Sequence, residues 1–396
     1  MNEKKLERYL YNLPKKVIFC KKCVTSNQRP RIKFTGDICN ACINHENKPK
    51  VDWKEKSEKL ETLLEKYRSK NGEWDVLVPG SGGKDSGFVA HLLKHKYRMN
   101  PLCITFSPFR YTPIGLENFE NFVKAGFNVF NFFPNGDLYR KLSQLAFREL
   151  GDNFTPFVFG QHSYSYHIAK KFNIGIMFYG EISDEEFGGD DNQVKDYASV
   201  ENSAKLYWKG SNVFELFEHG IKNYPDLIKK DDYNKSDFEF FYPPDPKKMN
   251  IRTEFMSSYV DWKPQDNYYY SVKYTNFQPN PIRSEGTYTR YSSLDDKMDW
   301  LHFYMMYIKL GIGRATSDAA REVREGKILR KEGCSLVKKY DGEFTKKYFE
   351  FTLDFLKLDK KTFWEIVDSF RLDHIWKKIG DKYKLRHTVN LDGEDD

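Results

Sequence analysis

The sequence predicts an α/β protein with a doubly wound parallel sheet, preceded by a four-cysteine zinc ribbon and followed by a helical C-terminal region. Three observations support this prediction. A glycine-rich stretch within Val76–Ser86 separates a short apolar run from a helical pattern. Strand-like and helix-like segments alternate from there to Tyr179, as in parallel sheets with crossover helices. Two Cys-x-x-Cys pairs, Cys20–Cys23 and Cys39–Cys42, precede this region.

Composition and charge indicate a folded protein of more than one domain with a basic N-terminal end. The chain has 396 residues, 16% of them aromatic, and this length is typical of two or three domains. Residues 1–50 contain 12 Lys and Arg and 4 Asp and Glu, a net charge of +8, whereas the whole chain carries +7. Such a basic end indicates a polyanion partner, or it offsets the negative charge of a metal–thiolate centre.

The sequence also predicts a compartment. No apolar run reaches the roughly 18–20 residues that a membrane span needs, and the N-terminus lacks the apolar core of a signal peptide. We therefore expect a cytoplasmic protein. In a reducing compartment its six cysteines are not expected to form structural disulfides.

The cysteine spacing, C-x2-C-x15-C-x2-C, is typical of a zinc ribbon. Each pair presents two thiolates from one turn, and Gly36-Asp37 can close a hairpin between the pairs. Because four thiolates leave no open coordination position, the zinc is expected to have a structural or docking role. The predicted zinc ligands are Cys20, Cys23, Cys39 and Cys42.

The segments around the glycine-rich stretch predict the sheet. An amphipathic helix over 52–70 precedes a strand over 74–79, and a helix through Lys96 follows the glycines. Further strands are predicted over 101–106, 128–133 and 174–179, with helices over 115–126, 138–150 and 157–172. In such a sheet a ligand binds at the carboxyl ends of the strands. The loops after the second and fourth strands should therefore converge on the glycines.

The predicted organisation has five parts, with boundaries at changes in composition and periodicity. They are the zinc ribbon (1–50), a linker helix (51–72), the α/β core (73–197), an aromatic-rich insertion near the substrate site (198–294) and the helical C-terminal region (295–396).

The glycine loop, residues 80–86, has the character of a phosphate site. Glycines let backbone N–H groups approach an anion, and the dipole of the following helix favours negative charge. The spacing matches neither a Walker A loop nor the dinucleotide fingerprint. Asp85 would be repelled by phosphate unless Mg²⁺ lies between them. Alternatively, Asp85 caps the helix.

Two further clusters are candidates for ligand binding. Four carboxylates follow the fourth strand, and next to a triphosphate they would complete the coordination shell of a magnesium ion. Glu181 is the first candidate ligand, and Asp184 and Glu185 are the next two. Otherwise they form a solvated acidic loop. Arg314, Asp318 and Arg321 share one helical face, which indicates either phosphate or carboxylate binding or a salt-bridged surface helix.

The motif Ser81-Gly-Gly-Lys-Asp-Ser86 resembles the SGGxDS loop of the N-type ATP pyrophosphatases (the PP-loop superfamily). These enzymes cleave ATP between the α and β phosphates to adenylate a substrate. Over most of its length the chain resembles the N-acetyl sugar amidotransferases of surface-polysaccharide biosynthesis. That resemblance is carried by the zinc ribbon, the glycine loop, 109–115, 134–136, 140–142, 157–161, 179–181 with 186–189, and 311–316 with Asp318. The chain departs from the family pattern at Ile182-Ser183 and at Phe187.

The resemblance implies a PP-loop fold, the cofactors ATP, Mg²⁺ and Zn²⁺, and specific site residues. The nucleotide would be bound by Gly80, Ser81, Gly82, Gly83, Lys84, Asp85, Ser86 and Thr105. The catalytic residues would be Lys84, Asp85 and Arg314, and the acceptor would be bound by Tyr111, Gln161, Tyr179, Arg314 and Arg321. Magnesium would be held by Asp85, Glu181, Asp184 and Glu185.

The resemblance also implies a reaction and partners. ATP would adenylate the acetamido oxygen of a nucleotide-activated N-acetyl sugar, and ammonia would displace AMP to give an acetamidino sugar. The chain shows no Cys-His-Glu glutaminase arrangement. Ammonia would therefore come from a separate class I glutaminase with a barrel-like conduit subunit, similar to the histidine-pathway pair.

Two other functions are alternatives to this one. A tRNA-modifying, thiolating enzyme of the same fold would explain the basic N-terminus, but sulfur transfer needs reactive cysteines near the loop, and only Cys103 and Cys334 remain outside the ribbon. A zinc-dependent binding protein with a degenerate nucleotide site conflicts with the intact SGGxDS motif. We therefore do not expect a nucleic-acid partner.

Overall fold

The computed structural model describes Leu6 and residues 10–189, 212–245 and 249–390. The predicted boundary at 197/198 lies outside these ranges. The chain begins with the cysteine module (residues 17–50), a short hairpin followed by a helix. Its elements are β1 (Phe34–Thr35), β2 (Ile38–Cys39) and α1 (Asn40–Asn47), and the linker helix α2 (Trp53–Glu65) follows.

The central region alternates strands and helices as predicted. Its elements are β3 (Val76–Pro79), α3 (Lys84–His91), β4 (Pro101–Phe106), α4 (Pro113–Lys124), β5 (Asn128–Phe132), α5 (Gly136–Leu150), α6 (Thr155–Lys171), β6 (Ile176–Tyr179) and α7 (Ser183–Phe187). The four predicted strands are therefore confirmed. Asn135 accepts hydrogen bonds from the first N–H groups of α5, and Gly151 ends that helix in the left-handed conformation (φ +57°), which glycine adopts readily.

A fifth strand comes from the segment predicted as an insertion. This segment contains α8 (Val213–Asn223), α9 (Lys235–Phe238), β7 (Arg252–Phe255) and α10 (Pro264–Tyr274). β7 pairs in parallel with β6 and lies at the edge of the sheet. The sequence did not predict this strand because its two charged residues, Arg252 and Glu254, break the apolar run expected of a buried strand.

The C-terminal region is mainly helical. It comprises α11 (Asp299–Leu310), α12 (Arg314–Arg324), α13 (Arg330–Tyr340), α14 (Phe349–Leu356), α15 (Lys360–Asp368), β8 (Trp376–Ile379) and β9 (Lys382–Leu385). Residues 376–379 and 382–385 form a strand hairpin within the region, 295–396, that was predicted to be helical. The hairpin forms because Gly380 takes a positive φ of +59° in a two-residue turn.

The main sheet has five parallel strands in the order β5-β4-β3-β6-β7. The chain winds outward from β3 in one direction and then returns to β6 on its other side. The topological switch point therefore lies between β3 and β6, where ligands bind in sheets of this kind. The glycine loop follows β3 directly and so lies at this point.

Apolar side chains cover both faces of the sheet, as a doubly wound fold requires. Leu77 and Leu102 pack with residues of α5, α6 and α8 on one face. Val78 and Cys103 pack with α2 and α3 on the other. Another core joins α5, α11, α14 and α15 to the hairpin β8–β9. Among the helices in the described part of the chain, none is long and apolar enough to cross a membrane.

Candidate functional site

The glycine loop is shaped by close backbone packing. A Cβ atom on Gly80 would lie 2.1 Å from Ser86 Cβ. Gly82 has φ +83°, and a Cβ there would lie 2.9 Å from the carbonyl oxygen of Asn118. Thr105 Oγ1 donates a 2.5 Å hydrogen bond to the carbonyl of Gly80. Glycine is thus required at both positions. Through Thr105, β4 contacts the loop and holds it in place.

A cavity of about 490 Å³ opens at the switch point. Its walls come from the glycine loop, the end of β6, the start of α6 and the segment 291–299. Among the predicted nucleotide-binding residues, six line the cavity: Gly80, Ser81, Gly83, Lys84, Asp85 and Ser86. Gly82 and Thr105 instead support the loop through the contacts described above.

Helix α10 donates hydrogen bonds to the start of α3. Lys84 and Asp85 form an ion pair, and Asn267 Nδ2 donates to Asp85 Oδ1 at 3.3 Å. Ser271 Oγ donates to the carbonyl of Lys84 at 2.6 Å. The N-cap residue, Gly83, provides no side-chain cap. Backbone N–H groups of the first turn of α3 therefore have no side-chain acceptor from it, the condition that suits anion binding.

Glu181 follows β6 and lines the same cavity as the glycine loop. Trp262 Nε1 donates to Glu181 Oε2 at 2.9 Å, and Arg321 Nη2 donates to Glu181 Oε1 at 3.2 Å. Asp85 and Glu181 both line the cavity. Each carboxylate oxygen can accept a further interaction beyond the one described, so both residues fit as ligands of a hard cation.

The other two predicted magnesium ligands lie on α7. Asp184 is 1% exposed and accepts a hydrogen bond from Arg31 Nη2 at 2.8 Å. Glu185 is half-buried on the same short helix. Neither is among the residues that line the cavity. Asp184 faces the cysteine module because that module supplies its cationic partner.

The predicted acceptor residues fall into three groups. Gln161, Tyr179 and Arg314 line the cavity. Arg321 lines a small adjoining cavity together with Lys84 and Arg314. Tyr111 does not line the cavity; its hydroxyl accepts a 3.4 Å hydrogen bond from Asn131, and burial raises its pKa.

The α12 face contains an ion pair and also borders the cavity. Arg314 Nε lies 3.2 Å from Asp318 Oδ1, as in a salt-bridged helix, and its guanidinium lies 4.6 Å from the ring centroid of Phe303. Arg314 nevertheless lines the cavity. Burial lowers the pKa of Arg321, but the charges of Glu181 and Glu186 outweigh this and raise it overall.

Three aspartates in the cavity wall were not predicted. Asp295 accepts a hydrogen bond from Ser81 of the glycine loop, and burial raises its pKa to about 6. Asp296 accepts from the backbone N–H of Phe109 at 2.5 Å and of Met298 at 2.8 Å, and burial raises its pKa to about 8. Asp299 also lines the cavity. The sequence signal that could have identified this part of the cavity wall is the presence of three aspartates within five residues. These residues were instead predicted as the start of a helical region.

His162 is a further lining residue that was not predicted. It follows Gln161 on α6, and burial lowers its pKa to about 3. Its imidazole is therefore neutral at physiological pH.

The four predicted cysteines converge. All are buried, and Cys20 Sγ lies 3.8 Å from Cys42 Sγ while Cys23 Sγ lies 3.7 Å from Cys39 Sγ. A tetrahedral site with Zn–S bonds of about 2.3 Å has sulfurs about 3.8 Å apart. The backbone N–H of Cys39 donates to Cys20 Sγ at 3.4 Å. The cluster is therefore compatible with zinc.

No other set of three or more His, Cys, Asp or Glu ligand atoms gathers this closely within the ranges that the structure describes. The carboxylates near the glycine loop thus do not form a preassembled cage. A cation there would share its coordination with phosphate oxygens, as Mg²⁺ commonly does.

Two comparisons with known proteins found similarity to parts of this chain. Residues 285–389 match the family model described as "LPS biosynthesis protein WbpG-like, C-terminal domain". A stretch of 107 residues is 33% identical to the uncharacterized protein MJ1599 of Methanocaldococcus jannaschii, covering 26% of this chain and 38% of that protein. The chain thus matches well under half of that relative. The WbpG-like segment supplies Asp295, Asp299 and Arg314 of the cavity wall and supports a role in polysaccharide biosynthesis.

Proposed function

We propose that this protein is an ATP-dependent amidotransferase that converts an acetamido group of a nucleotide-activated sugar into an acetamidino group. The observation that carries the proposal is the composition of the cavity wall. The wall combines the glycine loop at the switch point with Asp295, Asp299 and Arg314 from the WbpG-like segment. Residues of the glycine loop and residues of the WbpG-like segment therefore line the same cavity, which supports the proposal.

The chemistry requires activation because an amide oxygen is a poor leaving group. The acetamido oxygen attacks the α phosphorus of ATP, the bond to the bridging oxygen breaks, and pyrophosphate leaves. Ammonia then adds to the imidate carbon and AMP departs with the former amide oxygen. The amidinium product keeps the extra proton, so atoms and charges balance without an oxidant or reductant.

The chain's own residues supply binding and charge. The glycine loop and the N-terminus of α3 would bind the β and γ phosphates through backbone N–H groups, and Lys84 would offset their charge. Asp85 and Glu181 would hold Mg²⁺, which neutralises negative charge that develops on the phosphates. Gln161, Tyr179 and Arg314 would orient the acceptor.

The source of ammonia is expected to be a separate subunit. Cys103 is buried in β4, where burial raises the pKa of its thiol, and Cys334 is also buried, with a raised pKa. Neither has the environment of an activated nucleophile. A class I glutaminase with a barrel-like conduit subunit would therefore supply ammonia. The same burial disfavours the thiolating alternative.

The test is a reaction containing ATP, Mg²⁺, ammonium and nucleotide-linked N-acetyl sugars. We expect AMP, pyrophosphate and a product lighter by about one mass unit, since NH replaces oxygen. A sugar labelled with ¹⁸O in the acetamido group should transfer that label to AMP. Label retained in the sugar, or AMP formed only when tRNA is added, would contradict the proposal.

A further inference from the structure

The cysteine module packs directly onto the segment that follows β6. Asn40, which lies between the ligands Cys39 and Cys42, donates from Nδ2 to the carbonyl of Gly189 at 2.8 Å. Arg29 Nε donates to the carbonyl of Gly188 at 3.1 Å. The cysteine module therefore binds two backbone carbonyls immediately beyond α7.

Ion pairs strengthen this contact. Arg31 pairs with Asp184 at 2.8 Å, and Lys48 Nζ pairs with Glu186 Oε1 at 2.6 Å. The two carboxylates are nearly buried, at 1% and 6% exposure. Breaking a buried pair leaves an uncompensated charge, so these contacts hold α7 firmly against the module. They also account for two of the basic residues at the N-terminal end.

Phe187 links the module to the cavity. The guanidinium carbon of Arg29 lies 5.0 Å from the centroid of the Phe187 ring, and that of Arg321 lies 4.4 Å from the same centroid. Both cations are within the range of a cation–π contact. Phe187 is thus contacted by one arginine from the module and one from α12.

Arg321 completes the connection. Its Nη2 donates to Glu181 in the cavity wall, and its Nε lies 3.9 Å from Glu186 Oε2. A continuous set of contacts therefore runs from Arg29 through Phe187 and Arg321 to Glu181. Gly188 allows the chain to turn there, with φ +85° and a Cβ position 2.7 Å from Ile32.

We propose that the metal-loaded cysteine module is a positioning element of the cavity, which orients Glu181 through Phe187 and Arg321. Glu181 is a metal-site residue only if the proposed function holds, but the mechanical coupling does not depend on the reaction. Phe187 and Arg29 are accordingly positioning residues rather than catalytic ones. Loss of zinc would therefore make the position of Glu181 less well defined without removing any group that lines the cavity.

The first test measures hydrogen exchange of peptides covering 176–189 in the full-length protein. Removing zinc with a chelator should increase exchange there by at least tenfold, while exchange in α5 stays unchanged and shows that the sheet remains folded. Unchanged exchange in 176–189 after confirmed zinc loss would overturn the proposal. If α5 also exchanges faster, the variants below decide the question.

The second test uses zinc-loaded variants. Phe187→Leu removes the aromatic face, whereas Phe187→Tyr keeps it. The leucine variant should retain zinc, exchange faster over 176–189 and bind Mg·ATP at least fivefold more weakly, and the tyrosine variant should behave like wild type. Lys21→Ala is the control, since Lys21 pairs with Asp37 within the module. Equal behaviour of all three variants would refute the coupling.

These readouts separate the two proposals. Exchange rates and zinc content report the coupling even if no sugar product forms. If the coupling is present but ¹⁸O transfer is absent, the proposed reaction fails alone. If turnover is normal while Phe187→Leu changes neither exchange nor nucleotide affinity, the positioning role fails alone.

Discussion

Trp262 donates a 2.9 Å hydrogen bond from its indole nitrogen to Glu181 Oε2, although the two residues are 81 positions apart. Trp262 is 1% exposed and packs edge-on against Phe88 of α3. One buried ring therefore contacts both the carboxylate wall and the helix that follows the glycine loop. This bond keeps Glu181 directed at the cavity.

Trp262→Phe should lower the free energy of unfolding by about 1–3 kcal/mol, since it removes a hydrogen bond to a charged group and some packing. It should also weaken Mg·ATP binding. Trp300→Phe is the matched control, because Trp300 donates to Thr352 within the C-terminal core. Urea unfolding and calorimetric titration measure both effects, and equal nucleotide affinity of the two variants would contradict this role of Trp262.

Gly82→Ala should abolish nucleotide binding. Its φ of +83° disfavours alanine, and the added Cβ would lie 2.9 Å from the Asn118 carbonyl. Gly72→Ala provides the comparison, with φ +81° and no atom within 4 Å of the new Cβ. That control should lose only about 1–2 kcal/mol of stability and bind nucleotide normally. Loss of binding in both variants would mean that general strain, not the loop contact, is responsible.

Asp295→Asn should change the pH dependence of stability. Burial raises the pKa of Asp295 to about 6, so its stabilising contribution is complete below about pH 4 and is lost as pH rises through 6. The variant should therefore gain about 1–3 kcal/mol relative to wild type between pH 4.5 and 7.5. Urea unfolding without divalent cations measures this difference, and a constant difference would contradict it.

The purified protein should contain one zinc ion per chain. Cys39→Ser should reduce the zinc content and destabilise the cysteine module, because three thiolates hold the ion less well than four. Cys334→Ser should keep full zinc content, since Cys334 Sγ lies against the carbonyl of Asn390. Elemental analysis measures the stoichiometry, and a metal-free wild-type protein with native exchange behaviour would refute the zinc assignment.

Asp85→Asn should reduce AMP formation by at least a hundredfold while leaving the thermal midpoint within a few degrees of wild type. The change removes the charge that would bind a cation, but the amide can still accept from Asn267. Quenched-flow or end-point AMP assays measure the loss. Normal turnover at saturating Mg²⁺ would rule out a metal-binding role for Asp85.

Much of the fold was predictable because it depends on local pattern. The four core strands and the glycine loop follow from apolar runs and glycine placement, and the cysteine cluster follows from the spacing of two Cys-x-x-Cys pairs. The edge strand β7 was not predictable, because its Arg252 and Glu254 carry the sequence signature of a loop. It becomes a strand only when β6 offers it a partner.

Three features could be determined from the sequence by itself. They are the glycine loop at the switch point, the convergence of the four cysteines and the presence of the Glu181 carboxylate at the cavity. Only the tertiary structure decided which other carboxylates join it. Arg31, 153 residues away in sequence, draws Asp184 toward the cysteine module, whereas Asp295, 214 residues from Ser81, reaches the glycine loop. Such pairings depend on which surfaces pack together, and burial with a distant partner leaves no periodic signal in the chain.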